Sequence, residues 1–159
     1  MAAGTGGGRV HDRAPVPSAE LAALATRLCA AMDATINGRA AEYGLTRADY
    51  DVLAALRGSG PRMRLKPTEL QVRCRLSSGG TSNVVRRMTE SGYVVREADL
   101  HDGRSAWAQL TEEGLLVTAR IQDGIDSVHD RRLDRLPPGV VDALSALLAQ
   151  TVAVLEADD

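Results

Sequence analysis

Cysteine and histidine are scarce in this 159-residue chain, and its formal charge nearly cancels at −2. The two cysteines, Cys29 and Cys74, cannot build a disulfide framework, so both are expected as thiols. His11, His101 and His129 are scattered, with no Cys or His pair at ligand spacing, and no structural metal site is expected. No apolar run approaches the roughly 18 residues of a membrane span, so none is expected. The opening MAAGTGGGRVHDRAPVPSA is rich in Gly and Pro and lacks the apolar segment of a signal peptide. Residues 1–18 are therefore read as a disordered extension, and the protein as cytoplasmic. Catalytic signatures are missing too. There is no nucleophile elbow and no paired-carboxylate site, and SSGGTS lacks the Lys and the preceding apolar strand of a phosphate loop. An enzyme is not expected, and neither is a cofactor.

What is present is uneven charge. From Arg57 to Arg96 nine basic residues face two acidic ones, Glu69 and Glu90, a local excess of seven in a near-neutral protein. Such a segment is the electrostatic footprint of a lobe that meets phosphates.

The order of elements gives that segment a shape. Leu21, Leu24, Leu28, Met32 and Ile36 recur at helical spacing, and Gly44 is a natural stop. Thr46 with Asp49 forms a capping pair ahead of a second helix that ends near Gly58. A short extended piece around 62–65 precedes a short helix that starts at Pro67. In SSGGTSNVVRRMTES, Thr81, Val85 and Met88 share one face with Val84 beside it, whereas Ser82, Asn83, Arg86 and Arg87 fall outside the stripe. YVVREADLHDGRSAWAQL then reads as a hairpin around Asp-Gly. Thr111 caps a long helix that Pro137-Pro138 end. A last helix over about 139–156 is apolar around much of its circumference, too much for a lone terminal helix, so a partner subunit is its natural burial site.

Helix, short helix, turn, helix and hairpin make a winged helix-turn-helix. The fold class is thus mainly α with a small β-hairpin wing, as an obligate homodimer. Residues 19–44 and 112–157 form its helical dimerisation region, and residues 45–111 the DNA-binding lobe. A recognition helix enters the major groove N-terminus first. Ser77 or Ser78 as cap, with Gly79 and Gly80 lacking side chains, allows that close approach. Asn83 and Arg86 are placed to reach base edges, and Ser82 and Arg87 to meet phosphates. Arg64, Lys66 and Thr68, around the start of the short helix, complete the set expected to face double-stranded DNA.

Over roughly residues 19–157 the sequence resembles the MarR family of dimeric transcriptional regulators. The matching pieces are LTRADYDVLAAL, RLKPTELQVRCRLSSGGTSNVVRRM, SGYVVRE and DGRSAWAQLTEEG. The resemblance implies a triangular homodimer held by its first and last helices, with the two winged lobes on successive turns of a pseudo-palindromic operator. It also implies that Arg104 enters the minor groove at the wing tip and that Asp102 holds the tip. Three departures stand out: Gly103 interrupts a common Asp-Arg-Arg wing, Lys66 replaces a Ser or Thr cap, and Thr89 stands where Glu is common.

Many members of the family release DNA when a small aromatic or phenolic anion binds between the dimer and DNA-binding lobes. This chain is similar to the urate-responsive branch through its SSGG helix start and GPRMRLKPTEL. Of the four ligand groups of that branch, Asp51 and Arg96 match two. Val84 replaces an Arg, and the only Trp, Trp107, is in the wing, so urate itself is not expected. Asp51 has an equal claim as an ion-pair partner. A first-helix cysteine gives a second reading, a peroxide- or thiol-responsive regulator acting through Cys29, against the simpler role of a small buried hydrophobe. Cys74 stands where relatives carry a core Leu and is expected to be inert. A third reading is a winged-helix dimer that binds protein rather than DNA.

Overall fold

The computed structural model describes residues 18–98 and 106–157. Helix α1, Ser18–Ala41, starts inside the stretch expected to be an extension and ends at Gly44, whose φ of 70° lets Leu45 N–H return to the Ala40 carbonyl. Helix α2, Arg47–Arg57, begins with the expected capping box. Thr46 accepts from the Asp49 N–H, and the Asp49 carboxylate accepts from the Thr46 N–H at 2.9 Å. Strand β1 is only Arg64–Leu65. Helix α3, Pro67–Cys74, has no hydroxyl cap, and Glu69 compensates by accepting from the Lys66 N–H at 2.7 Å. Helix α4, Ser78–Glu90, is capped by Ser77, whose Oγ accepts from the Gly80 N–H.

Strands β2, Val94–Ala98, and β3, Ala106–Leu110, pair antiparallel from Val94 opposite Leu110 to Ala98 opposite Ala106. Beyond the expected hairpin, β1 joins the other side of β3, with Leu65 opposite Ala108, so the wing is a three-stranded sheet ordered β1-β3-β2. Helix α5, Glu112–Leu133, is capped by Thr111, and helix α6 spans Val140–Ala157.

One core joins these elements. Leu53 and Leu56 of α2, Leu70 of α3, Val85 and Met88 of α4, Val94 and Leu110 of the sheet and Ile121 and Ile125 of α5 are all buried in it. The two segments 45–111 and 112–157 therefore share a core, and the Tyr50 hydroxyl of α2 donates to the Gln122 side chain of α5 across them.

Helix α6 differs. None of its residues is buried, and Leu144, Leu147, Leu148, Val152, Val154 and Leu155 are exposed. By length and composition α6 could cross a membrane, which corrects the expectation that no apolar run nears that size. Asp142, Gln150 and Glu156 interrupt it, and 18 helical residues span only about 27 Å against a hydrocarbon core of about 30 Å.

Candidate nucleic-acid interface

Helical geometry sorts the residues of α4. At about 100° per residue, Thr81, Val84, Val85 and Met88 form one stripe, and all four are buried. Gly79, Asn83 and Arg86 fall on the opposite side. All three are exposed, as are Ser77, Ser78 and Ser82. The helix thus presents a first turn with no acidic residue, two glycines that admit close backbone approach, and polar groups behind them. A Cβ on Gly79 would meet nothing within 4 Å, whereas one on Gly80 would come 3.2 Å from Ser77 Oγ, so Gly80 also makes room for the cap.

Arg86 and Arg87 are adjacent but not equivalent. Arg86 Nη1 lies 2.8 Å from Glu90 Oε1, one turn away, and both side chains are about 60% exposed. Such a surface pair contributes about 0.5 kcal/mol or less, while a bidentate contact to guanine is worth about 1–3 kcal/mol. Glu90 therefore does not hold Arg86 back from a base edge. Arg87, about 110° from the centre of the core stripe, leans over α2 instead, with Nη2 2.5 Å from Asp49 Oδ1. Asp49 is almost wholly buried, and its other oxygen accepts from the backbone and hydroxyl of Thr46. The outward, phosphate-facing orientation expected of Arg87 is corrected accordingly. Its guanidinium neutralises a buried carboxylate and ties the recognition helix to α2.

The basic residues around β1 are likewise engaged. Arg64 stacks over Trp107 at 4.6 Å to the ring centroid and lies 3.3 Å from Glu97, and Lys66 Nζ stands 5.1 Å from the same ring. Trp107 orients two cations at the base of the wing, a role that its sequence position did not reveal. Thr68 is on the first turn of α3. Asp102, Arg104 and His101 lie outside the described residues.

The expected ligand groups are not brought together. Asp51 accepts from Arg47 Nε at 2.8 Å, and Arg47 Nη1 reaches Asp33 of α1 at 2.6 Å, so Asp51 belongs to an ion-pair chain linking α1 and α2. Arg96 lies on β2 opposite Ala108 and is not among the residues lining the hollow around Asp51. Val84, at the position of the missing Arg, is buried in the core. A different hollow, of about 420 Å³, opens between the end of α1, the start of the wing and α5, and is lined by Tyr43, Tyr93, Glu113, Leu116, Val117 and Arg120. Sequence reading missed it because its members lie up to 77 positions apart with no shared motif.

Of the cysteines, Cys29 is exposed on α1, contrary to the expectation of a buried hydrophobe, because the surrounding face of α1 is itself uncovered. Cys74 packs against the core, and burial, with a smaller contribution from Asp51, pushes its thiol pKa up. That fits the inert role expected of it.

A sequence profile of the MarR family matches residues 43–105. An uncharacterized HTH-type transcriptional regulator of Bacillus subtilis, YkoM, is 32% identical over 111 residues, which is 67% of this chain and 68% of that protein. The chain belongs to the MarR family. Wild-type MarR from E. coli, in its apo form, superposes with a TM-score of 0.72 at 20% identity, over 86% of this chain and 96% of that one. A MarR family transcriptional regulator from Streptomyces coelicolor, solved in complex with DNA, gives 0.68 at 26% identity, over 88% of this chain and 89% of that one. These relatives are transcriptional regulators rather than enzymes. In this MarR-family chain the winged helix-turn-helix is built from α2, α3, α4 and the three-stranded wing.

Proposed function

We propose that this protein is a homodimeric, sequence-specific DNA-binding repressor whose operator is pseudo-palindromic, with half-sites about one helical turn, roughly 34 Å, apart. The observation that carries this reading is the exposed, acid-free entrance of α4, with Asn83 and Arg86 on the face opposite the core. In it, Ser77, Ser78, Gly79 and Gly80 bring the helix dipole to the backbone, Asn83 and Arg86 read base edges, and Ser82, Arg64, Lys66 and Thr68 meet phosphates. Arg104 is the wing's minor-groove residue and Asp102 its support. Arg87 acts by holding α4 in register. A gel-shift assay on the DNA flanking the protein's own gene tests it, and absence of a salt-sensitive, sequence-specific complex would refute it.

Dimerisation through residues 19–44 and 112–157 accounts for the uncovered apolar face of α6 and for Leu21, Leu24 and Met32 on α1. Repression is relieved, in this reading, by a small aromatic anion. The hollow with Tyr43, Tyr93 and Arg120 suits it better than Asp51 and Arg96 do, because two phenol rings offer apolar faces and the guanidinium offers a charge-assisted bond. A thermal-shift screen of phenolic acids on the wild type and Arg120→Gln tests this, and equal shifts in both would exclude the site. A second reading, thiol-responsive control, starts from Cys29 on α1, which is exposed in a single chain, and peroxide treatment of dimeric wild type and Cys29→Ser distinguishes it.

A further inference from the structure

The hollow beside Tyr43 and Tyr93 is charged at both ends and apolar in the middle. Glu113, Leu116, Val117 and Arg120 line it from α5. At about 100° per residue these four fall within an arc of about 100°, so they form one stripe along the helix. Glu113 and Arg120 end that stripe. They are about 10.5 Å apart along the axis and within about 20° of each other around it. A carboxylate thus stands at one end and a guanidinium at the other, with Leu116 and Val117 between them. Tyr43, in the turn after α1, and Tyr93, in the turn after α4, supply the rest of the wall. The space of about 420 Å³ is that of a small-molecule site.

The fold itself uses neither charge. Among the described residues Glu113 and Arg120 form no ion pair, either with each other or with any other side chain. The Glu113 carboxylate lies at the turn that carries Tyr93, since an ideal Cβ on Gly92 would be 3.8 Å from its Oε2. A carboxylate in the first turn of α5 suits the helix dipole, and Glu112 beside it does the same. The dipole does not account for a guanidinium two turns further on the same stripe. A flat molecule with opposite charges at its two ends does account for both. An α-amino acid carries its ammonium and carboxylate on one carbon and cannot meet both ends at once, whereas a ring substituted at para positions can.

We infer that the hollow takes an aromatic molecule bearing a carboxylate and an ammonium at opposite ends of one ring, the carboxylate on Arg120 and the ammonium on Glu113. The inference rests on the reading of this hollow as the effector site and narrows its ligand class: Glu113 selects among aromatic acids for those with a cationic far end. The ring packs on Leu116 and Val117, and the ammonium gains from the face of a tyrosine. Tyr93 also joins the site to the DNA-binding lobe. Its N–H donates to the Met88 carbonyl at 2.9 Å, at the end of α4, and its carbonyl accepts from Thr111 N–H at 3.0 Å, at the start of α5. A ligand that pins Tyr93 therefore acts where recognition helix, wing and α5 meet.

The test is isothermal titration calorimetry of the full-length protein with three probes: para-(aminomethyl)benzoate, para-methylbenzoate and terephthalate. They share a ring and one carboxylate and differ in the charge at the far end. Wild type should bind para-(aminomethyl)benzoate roughly three- to tenfold tighter than para-methylbenzoate, the range for one added charge-assisted contact in a half-open site. Glu113→Gln should bring those two probes to equal affinity without weakening para-methylbenzoate. Glu113→Lys should reverse the order and make terephthalate the tightest. Each comparison is a ratio of dissociation constants within one variant, so a change in stability does not mimic it. Equal affinities in the wild type, or a ratio unchanged in Glu113→Gln, overturn the inference. If para-methylbenzoate binds as tightly as the zwitterion and Arg120→Gln abolishes both, the effector site stands and the zwitterionic ligand class falls. If none of the three binds, both fall.

Discussion

Replacing Gly114 by alanine should destabilise this protein severely, although alanine is the better helix former. In the interior of an open helix Gly→Ala gains about 1 kcal/mol. At Gly114 an ideal Cβ would lie 2.1 Å from the Tyr93 carbonyl oxygen and 3.0 Å from Leu110 Cδ1. The obstructing oxygen is backbone and cannot rotate away. Restoring van der Waals distance requires α5 and the start of β2 to separate by roughly 1 Å, and that gap is bridged by the cap of α5. There Thr111 N–H meets the Tyr93 carbonyl at 3.0 Å, Thr111 Oγ1 donates to the Gly92 carbonyl at 2.8 Å, and Oγ1 accepts from Gly114 N–H at 3.0 Å. Overpacking costs about 1–3 kcal/mol, and each weakened hydrogen bond about 1 kcal/mol. A loss of about 3–5 kcal/mol follows, about a fifth or more of an ordinary domain's stability, or about 6–20 °C in midpoint at this size. Gly124→Ala is the control. Its Cβ would meet only the Arg39 side chain, at 3.3 Å from Cδ, which can move, so the change should lie between neutral and 1 kcal/mol stabilising. Denaturant unfolding of both variants at one protein concentration decides the matter. A Gly114→Ala loss below about 1 kcal/mol would refute the reasoning, since it would mean that the strand-to-helix contact yields without breaking the cap.

Four further outcomes are expected. Arg87→Ala leaves the buried Asp49 carboxylate without its cation and should cost about 1–3 kcal/mol in denaturant unfolding, while Arg87→Ala in an Asp49→Ala background should cost much less. Arg86→Ala should keep full stability yet lose about 1–3 kcal/mol of discrimination between operator variants in competition gel shifts, with equal losses on operator and random DNA contradicting a base-reading role. Burial raises the Cys74 thiol pKa, so its thiolate fraction is below that of a free thiol at any pH under that pKa. The midpoint of its alkylation rate against pH, followed by mass spectrometry in Cys29→Ser, should lie above that of a free cysteine peptide, and an equal or lower midpoint would contradict the burial argument. Leu144→Glu combined with Leu148→Glu should give a monomer in analytical ultracentrifugation, because both side chains lie on the uncovered α6.

What could be read from the sequence, and what could not, follows from the range of the forces involved. Capping is local, so Thr46 with Asp49, Ser77 and Thr111 were legible within four residues, as was the core stripe of α4. Strand β1 was legible only as an extended piece, because its partner on β3 is about 44 positions away and two residues carry no periodicity. The charged residues were the least legible, since the partner of a long side chain is chosen by packing rather than by spacing. Arg86 and Arg87 are neighbours with the same chemistry. Helical spacing gives Arg86 an exposed glutamate four residues on that releases it cheaply, whereas tertiary packing gives Arg87 a buried aspartate of α2 that does not. Asp51 combines both: its alternatives, ligand group or ion-pair partner, were equal in sequence, and the second is favoured by Arg47 one turn away on α2, which the fold also brings to Asp33 of α1. A basic segment therefore predicts that a lobe meets phosphates. How free each of its arginines is to do so depends on the carboxylate beside it, and Arg86, next to an exposed glutamate, is freer than Arg87, next to a buried aspartate.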